Sequence, residues 1–156
     1  MKKNKEEVVK MLDEMAILLE LQNANPFKVR AFQNASHSIE NFMEDFEEVV
    51  QQKKLQTIQG IGKGISADIE EFCTTGELKA LQELKKAFPE SLYELLRIPN
   101  LGPKKVKALY EQLKIESIDE LQQACMAGDL TSLQGFGEKT QQKILDGIQS
   151  LKSNKS

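Results

Sequence analysis

One short phrase, written three times, constrains the fold of this 156-residue chain more than any other feature. The copies are Ile58-Gln59-Gly60-Ile61-Gly62, Ile98-Pro99-Asn100-Leu101-Gly102 and Leu133-Gln134-Gly135-Phe136-Gly137. In each, an apolar residue stands two places before a turn-forming residue, a second apolar residue follows the turn, and a glycine closes. A run with helical spacing comes after every copy. The intervals between copies are unequal, which argues against a regular solenoid and for three separate hairpins of one kind. Glycine reaches positive φ and has no Cβ, so a tight turn can form and another backbone can approach. A helix that starts right after the closing glycine begins with free amides at the positive end of its dipole. Such a start attracts anions, phosphate above all.

The chain holds enough residues for one domain or two small ones, and its 40% hydrophobic and 29% charged content is that of a globular protein. No apolar run approaches the length of a membrane span. The basic start, Met1-Lys2-Lys3-Asn4-Lys5, leads into an amphipathic stretch rather than a signal-peptide core. The expected location is cytoplasmic, associated with the nucleoid. Cys73 and Cys125 come without a CxxC pair, and His37 is the one histidine, so neither a disulfide framework nor a zinc site is expected. The net charge of −3 runs against the usual basic character of nucleic-acid binders, but the charges are segregated. Glu40, Glu44, Asp45, Glu47 and Glu48 form an acidic cluster. Arg97, Lys104, Lys105 and Lys107 form a basic one on the second hairpin, with no acid between them.

Apolar periodicity predicts helices throughout, and no stretch sustains a two-residue alternation. Asn4 and Glu7 form a capping pair ahead of Val8, Leu12, Met15 and Leu19. Pro26 opens a second helix, with Ala31, Ala35, Ile39 and Phe42 expected on one face, and Phe46, Val49 and Val50 mark a short third. Gly76 suits a helix C-terminus, and Phe88-Pro89-Glu90-Ser91 marks a boundary. Ser117 and Glu120 form a second capping box. The tail from Lys152 to Ser156 is polar and expected to fray. Tyr93, Tyr110 and Phe136 are expected to pack, and His37 to lie on the surface. The fold class is therefore all-α, a helical bundle with three helix-hairpin-helix motifs. The expected domains are residues 1–87 with the first hairpin and 88–156 with the tandem pair.

Asn25-Pro26-Phe27-Lys28-Val29-Arg30-Ala31-Phe32, then Ile58 to Ile65, Thr75-Gly76-Glu77-Leu78, Leu95 to Lys105 and Leu133 to Gly147, taken in order, resemble the N-terminal half of bacterial family X DNA polymerases. The resemblance implies a lyase-like domain over 1–87 that recognises the 5′-phosphate side of a DNA gap, followed by helix-hairpin-helix units that grip duplex DNA. It implies DNA phosphate contacts at Lys28 and at the amides of Gly60, Gly62 and Gly64 and of Asn100, Gly102, Lys104 and Lys105; Lys63 beside the first loop, Lys107 in the basic cluster after the second, and Gly135, Gly137 and Lys139 of the third copy are further expected contacts. It also implies a monovalent cation, K⁺ or Na⁺, held by the backbone carbonyls of Gln56, Ile58 and Ile61 and of Leu96, Ile98 and Leu101. No cofactor is otherwise required. The third hairpin departs from this pattern, because Glu138 follows its closing glycine and would repel phosphate.

Two further departures bear on activity. The carboxylates of a polymerase palm are not among these residues, so polymerisation is not expected of them alone. A Schiff-base lyase needs a lysine, and the family's lysine position falls here on Asp68, while a phosphate-side tyrosine of the family falls on Phe32. The expected function is that of a sequence-independent DNA-binding module for gapped, nicked or 5′-phosphorylated DNA in repair, acting as a monomer with no membrane contact. One alternative is an abasic-site lyase with a relocated lysine, for which Lys63 is nearest. Another is a protein-interaction module, bound to a repair partner, that no longer binds DNA.

Overall fold

The computed structural model describes residues 1–153, and among them the structure is helical, with no strand. The chain divides into two compact units, Met1–Ala87 and Phe88–Ser156.

The first unit is built on α1, Lys5–Leu21, which buries Val8, Met11, Leu12, Met15, Ala16, Leu18, Leu19 and Leu21. Apolar residues run almost all round this helix because α2, Pro26–Glu40, α4, Lys63–Thr75, and α5, Lys79–Lys85, all pack against it. Its start is fixed by a capping box in which the Glu7 amide donates to Asn4 Oδ1 at 2.9 Å and the Asn4 amide donates to Glu7 Oε1 at 3.2 Å. The Asn4 amide, with the Lys3 ammonium alongside, holds the Glu7 carboxyl below the usual range. Pro26 opens α2 as expected, but the buried face is Val29, Phe32, Ala35, Ser36 and Ile39. Ala31 is exposed and Phe42 lies beyond the helix end, half-buried. The 3-4-3 spacing of 29, 32, 36 and 39 sets the core face; a phase anchored on Ala31 is turned away from it. Phe32 is 4% exposed. It therefore packs in the core and does not face a phosphate.

The short α3, Phe46–Gln51, buries only Phe46. Gly76 ends α4 with φ 88°, the left-handed cap.

The second unit contains α6, Glu90–Leu95, α7, Pro103–Leu113, α8, Ile118–Ala127, and α9, Glu138–Ser153. Leu92, Leu95, Val106, Leu109, Leu121, Cys125, Leu130, Ile144 and Ile148 form its core. The Ser117 hydroxyl caps α8 by accepting from the Glu120 amide at 3.2 Å. Tyr110 is half-buried and meets Phe88 edge to face, with centroids 5.6 Å apart. The expected fraying at Lys152 is corrected. It lies within α9, and its ammonium donates to Gln122 Oε1 at 2.6 Å and pairs with Asp119 Oδ1 at 3.2 Å. The remainder of that expected tail, residues 154–156, lies outside the described residues. Both cysteines are buried, and burial pushes each thiol up to about 11.

Candidate nucleic-acid interface

Each copy of the repeated phrase folds into the same backbone frame. In the first, the amide of Ile58 donates to Leu55, that of Ile61 to Ile58 and that of Ser66 to Gly62, at 3.0, 3.1 and 2.9 Å. In the second, Ile98 donates to Leu95, Leu101 to Ile98 and Val106 to Gly102, at 3.2, 3.2 and 3.0 Å. In the third, Leu133 donates to Leu130, Phe136 to Leu133 and Gln141 to Gly137, at 3.0, 3.2 and 3.0 Å. The turn residue is left-handed every time, with φ of 92° at Gly60, 70° at Asn100 and 87° at Gly135. Asparagine tolerates that region better than most residues, so the second copy keeps the frame without a glycine.

Three side chains, each three residues from the next, anchor every hairpin. They are Leu55, Ile58 and Ile61, then Leu95, Ile98 and Leu101, then Leu130, Leu133 and Phe136, all buried. With the side chains turned inwards, the loop backbone is left outside, and Gly60, Asn100 and Gly135 are exposed. Phe136, 5% exposed, is an anchor and not a surface ring.

The closing glycines carry the chemistry. Gly62 has φ −87° and ψ −179°, and Gly102 has φ −85° and ψ 175°, angles that any residue adopts. A Cβ built on Gly62, Gly102 or Gly137 would meet nothing within 4 Å. Neither backbone nor packing demands glycine there. Serine, aspartate or asparagine would cap the following helices better, yet α4 and α7 start with no side-chain cap. The helix starts are therefore bare, with amides open to an incoming group and the dipole's positive end facing it. Gly147 shows the contrast, since a Cβ on it would come within 3.1 Å of Ile98 Cγ2 and 3.3 Å of Pro99 Cδ. That glycine is a packing residue, letting α9 lie close against the second hairpin.

The charge distribution follows the frames. Residues 21–39, 49–67 and 95–110 contain no aspartate or glutamate. Those segments cover α2 up to Ile39 and the first two hairpins. The third hairpin is flanked by Asp129 and Glu138. Lys28, Lys63, Lys104 and Lys139 are exposed, as are Gly62, Gly64, Gly102 and Gly137; Lys105 is half-buried. Lys107 is also half-buried and lies 4.0 Å from Glu111 Oε1, so its charge is partly answered within α7. Partial burial pushes the Asp68 carboxyl above its ordinary range, Glu71 adds to this, and Lys28 opposes it.

The proposed cation ligands fall on the same loops. The carbonyls of Ile58 and Ile98 each accept one amide bond across the turn, which leaves a second lone pair on each oxygen. With Gln56 and Ile61, and with Leu96 and Leu101, they would make all-oxygen donor sets suited to a hard cation. Among the described residues no three His, Cys, Asp or Glu side chains come together as a metal site, and no helix is long and apolar enough to cross a membrane.

Sequence reasoning passed over Phe27 and Arg30. Phe27 is 75% exposed in the first turn of α2, and the Arg30 guanidinium lies 5.7 Å from its ring centroid. The signal was present, because Phe27 does not fit the 29-32-36-39 period of the buried face.

The helix-hairpin-helix domain family matches residues 3–78, and the SAM-like helix-hairpin-helix tandem family matches residues 92–150. The DNA polymerase/3′-5′ exonuclease PolX of Bacillus subtilis strain 168 is 34% identical over 145 residues, covering 93% of this chain and 25% of the relative. The chain thus spans a quarter of the length of the curated relative it matches. It resembles the N-terminal region of the bacterial family X DNA polymerases, with helix-hairpin-helix domains in both units.

Proposed function

We propose that the chain binds DNA through its phosphate backbone, without preference for base sequence, at gaps and 5′-phosphorylated ends during DNA repair. The observation that carries this reading is the set of closing glycines, which leave uncapped helix starts where neither φ nor packing requires glycine. The acid-free segments around the first two hairpins support it, and the B. subtilis relative, a DNA polymerase/3′-5′ exonuclease, points to DNA as the ligand.

In this reading the amides at Gly60, Gly62 and Gly64 and at Asn100, Gly102, Lys104 and Lys105 donate to phosphate oxygens. Lys28, Lys63, Lys104 and Lys105 add ionic contacts. Lys107 contributes less, because it shares its charge with Glu111. A monovalent cation on the loop carbonyls would supply positive charge between two electron-rich oxygens, those of carbonyl and phosphate. Contacts of this kind position a protein on DNA and carry no sequence information.

The test is binding to a one-nucleotide-gapped duplex, with and without a 5′-phosphate, across a salt series. Tighter binding with the phosphate is expected, and equal affinity would remove the 5′-end assignment. Lys104→Ala with Lys105→Ala is expected to weaken binding to all sequences alike. The loss should be roughly tenfold, with a salt slope shallower by about one unit per contact removed. A change in sequence preference would contradict the phosphate grip. Absence of binding at low salt would overturn the DNA reading altogether.

A further inference from the structure

A second basic recess lies at the far end of α4 from the first hairpin. It is a cleft of about 420 Å³ within the first unit. Lys2 lines it from the segment before α1, Val50, Gln51 and Lys53 from the end of α3 and the residues just past it, and Cys73 and Thr74 from the end of α4. No carboxylate lines it. The Lys2 amide donates to the Cys73 carbonyl at 2.8 Å, which ties the N-terminal segment to the last turn of α4.

Lysines near helix ends ordinarily answer the free carbonyls there. Here backbone amides answer them. The Cys73 carbonyl accepts from Lys2, that of Val50 from Lys53 at 3.1 Å, and that of Val49 from Lys54 at 3.0 Å. The two cleft lysines are exposed, and among the described residues neither takes part in an ion pair. Lys53 also has φ 56°, a left-handed conformation that glycine or asparagine takes at lower cost. The backbone thus gives no reason for a lysine at that position.

Two unpaired ammoniums suit a group with close to two negative charges. A phosphate monoester carries about −1.5 to −2 at neutral pH. Burial keeps the Cys73 thiol neutral, so it adds no opposing charge. Val50, Cys73 and the lysine stems offer apolar surface, while the Gln51 amide and the Thr74 hydroxyl offer hydrogen bonds. That mixture fits a flat body with polar edges, and the volume lies in the range of small-molecule sites.

We propose that the cleft binds a free phosphate monoester with a flat heterocyclic body, of the size of a nucleoside monophosphate, its phosphate on Lys2 and Lys53 and its body against Val50 and Cys73. The site is distinct from the phosphate grip of the first hairpin, because α4 rises about 18 Å from Gly62 to Thr74. It goes beyond the DNA reading and does not depend on it.

The probe is deoxyadenosine 5′-monophosphate, titrated into the isotope-labelled full chain and followed by amide NMR shifts. Saturable shifts are expected at Gln51, Lys53, Cys73 and Thr74, with little change at Gly62 and Gly64. Inorganic phosphate and deoxyadenosine, each supplying one half of the probe, are expected to bind roughly tenfold more weakly or worse. Lys53→Gly removes the ammonium and eases the left-handed turn, so this variant should be as stable as wild type and bind the probe roughly tenfold more weakly. Lys2→Ala should show a similar loss of affinity. A Lys53→Gly variant that binds like wild type would overturn the site. So would phosphate alone binding as tightly as the probe, or shifts centred on Gly62 and Gly64, where the probe would occupy the phosphate grip instead. With gapped duplex DNA added to excess, the cleft is expected to keep its probe. Displacement would place the cleft on the path of the DNA and overturn a separate small-molecule site. The titration of the probe itself needs no DNA, so a failure of the DNA reading leaves the cleft to stand or fall on its own shifts.

Discussion

The second and third hairpins share a backbone and differ in what surrounds it. Their turn and cap hydrogen bonds agree within 0.2 Å, both turn residues are left-handed, and both bury three anchors. Yet the second opens onto Lys104 and Lys105, with no acid from residue 95 to 110, while the third sits between Asp129 and Glu138. The frame is thus set by anchors and turn residues alone. Whether it attracts a phosphate is decided separately, by a few charges in the first turn of the helix that follows, where a dipole contribution of about 0.3–1 kcal/mol is easily reinforced or cancelled. The comparison teaches that one local fold can serve as a grip in one place and as a structural corner in another. Gly147 supports the structural role for the third hairpin, because the helix leaving it packs directly on Ile98 and Pro99 of the second.

The largest effects should come from the anchors. Phe136→Ala is expected to cost about 3–5 kcal/mol and Leu101→Ala about 2–5 kcal/mol, since both side chains are at most 5% exposed. Urea denaturation of the full chain measures both. The two should part in DNA binding, assayed at a temperature where each variant remains folded. Leu101→Ala removes the anchor behind the Asn100 turn and should lose affinity. Phe136→Ala should keep most of it. Equal losses would show that the third hairpin also touches DNA, or that it holds the second in shape.

The fold was largely legible from the sequence, and the reason is local. Three anchors, a turn residue and a closing glycine within eight positions specify a hairpin almost without reference to the rest of the chain. The capping box at Asn4 and Glu7 and the left-handed cap at Gly76 are equally local and stand as expected. The phase of α2 was harder to read. Ala31 and Phe42 look apolar in sequence, but the neighbouring helices decide which side of α2 is covered, and they cover Val29, Phe32 and Ile39. The same dependence on tertiary packing concealed Phe27, whose exposure follows from lying outside the covered face. The helical state of Lys152 escaped for a related reason, as its partners Asp119 and Gln122 lie on α8, 33 and 30 residues away in sequence. For the candidate site, glycine positions could be read but not their meaning. Gly102 and Gly147 look alike on paper, and only the space around each separates an open helix start from a packing contact.

That distinction sharpens the comparison between the hairpins. Alanine at Gly102 or Gly137 meets no neighbour within 4 Å, so each variant should lose only the roughly 0.5–1 kcal/mol that separates glycine from alanine at a helix start. A methyl group at Gly102 would nevertheless stand where a phosphate is to approach the amides of α7. Gly102→Ala is expected to lower DNA affinity several-fold, and Gly137→Ala to leave it unchanged. If Gly102→Ala binds as wild type, the amides there do not contact the backbone of DNA, and the lysines act alone.

The smallest expected effect is also the most direct test of whether charge separates the two hairpins. Glu138→Lys converts the first residue of α9 into the kind of side chain that follows the first hairpin's closing glycine, where Lys63 stands, and brings the first turn of α9 closer in charge to that of α7. It alters no anchor, no turn residue and no hydrogen bond of the frame. If the third hairpin lies within reach of DNA and is held off by repulsion, the substitution should raise affinity a few-fold and steepen the salt dependence by about one unit. The gain should vanish at high salt, where exposed charges are screened. An unchanged salt slope would mean that the third frame does not lie along the phosphate path, and that its resemblance to the second is one of construction alone.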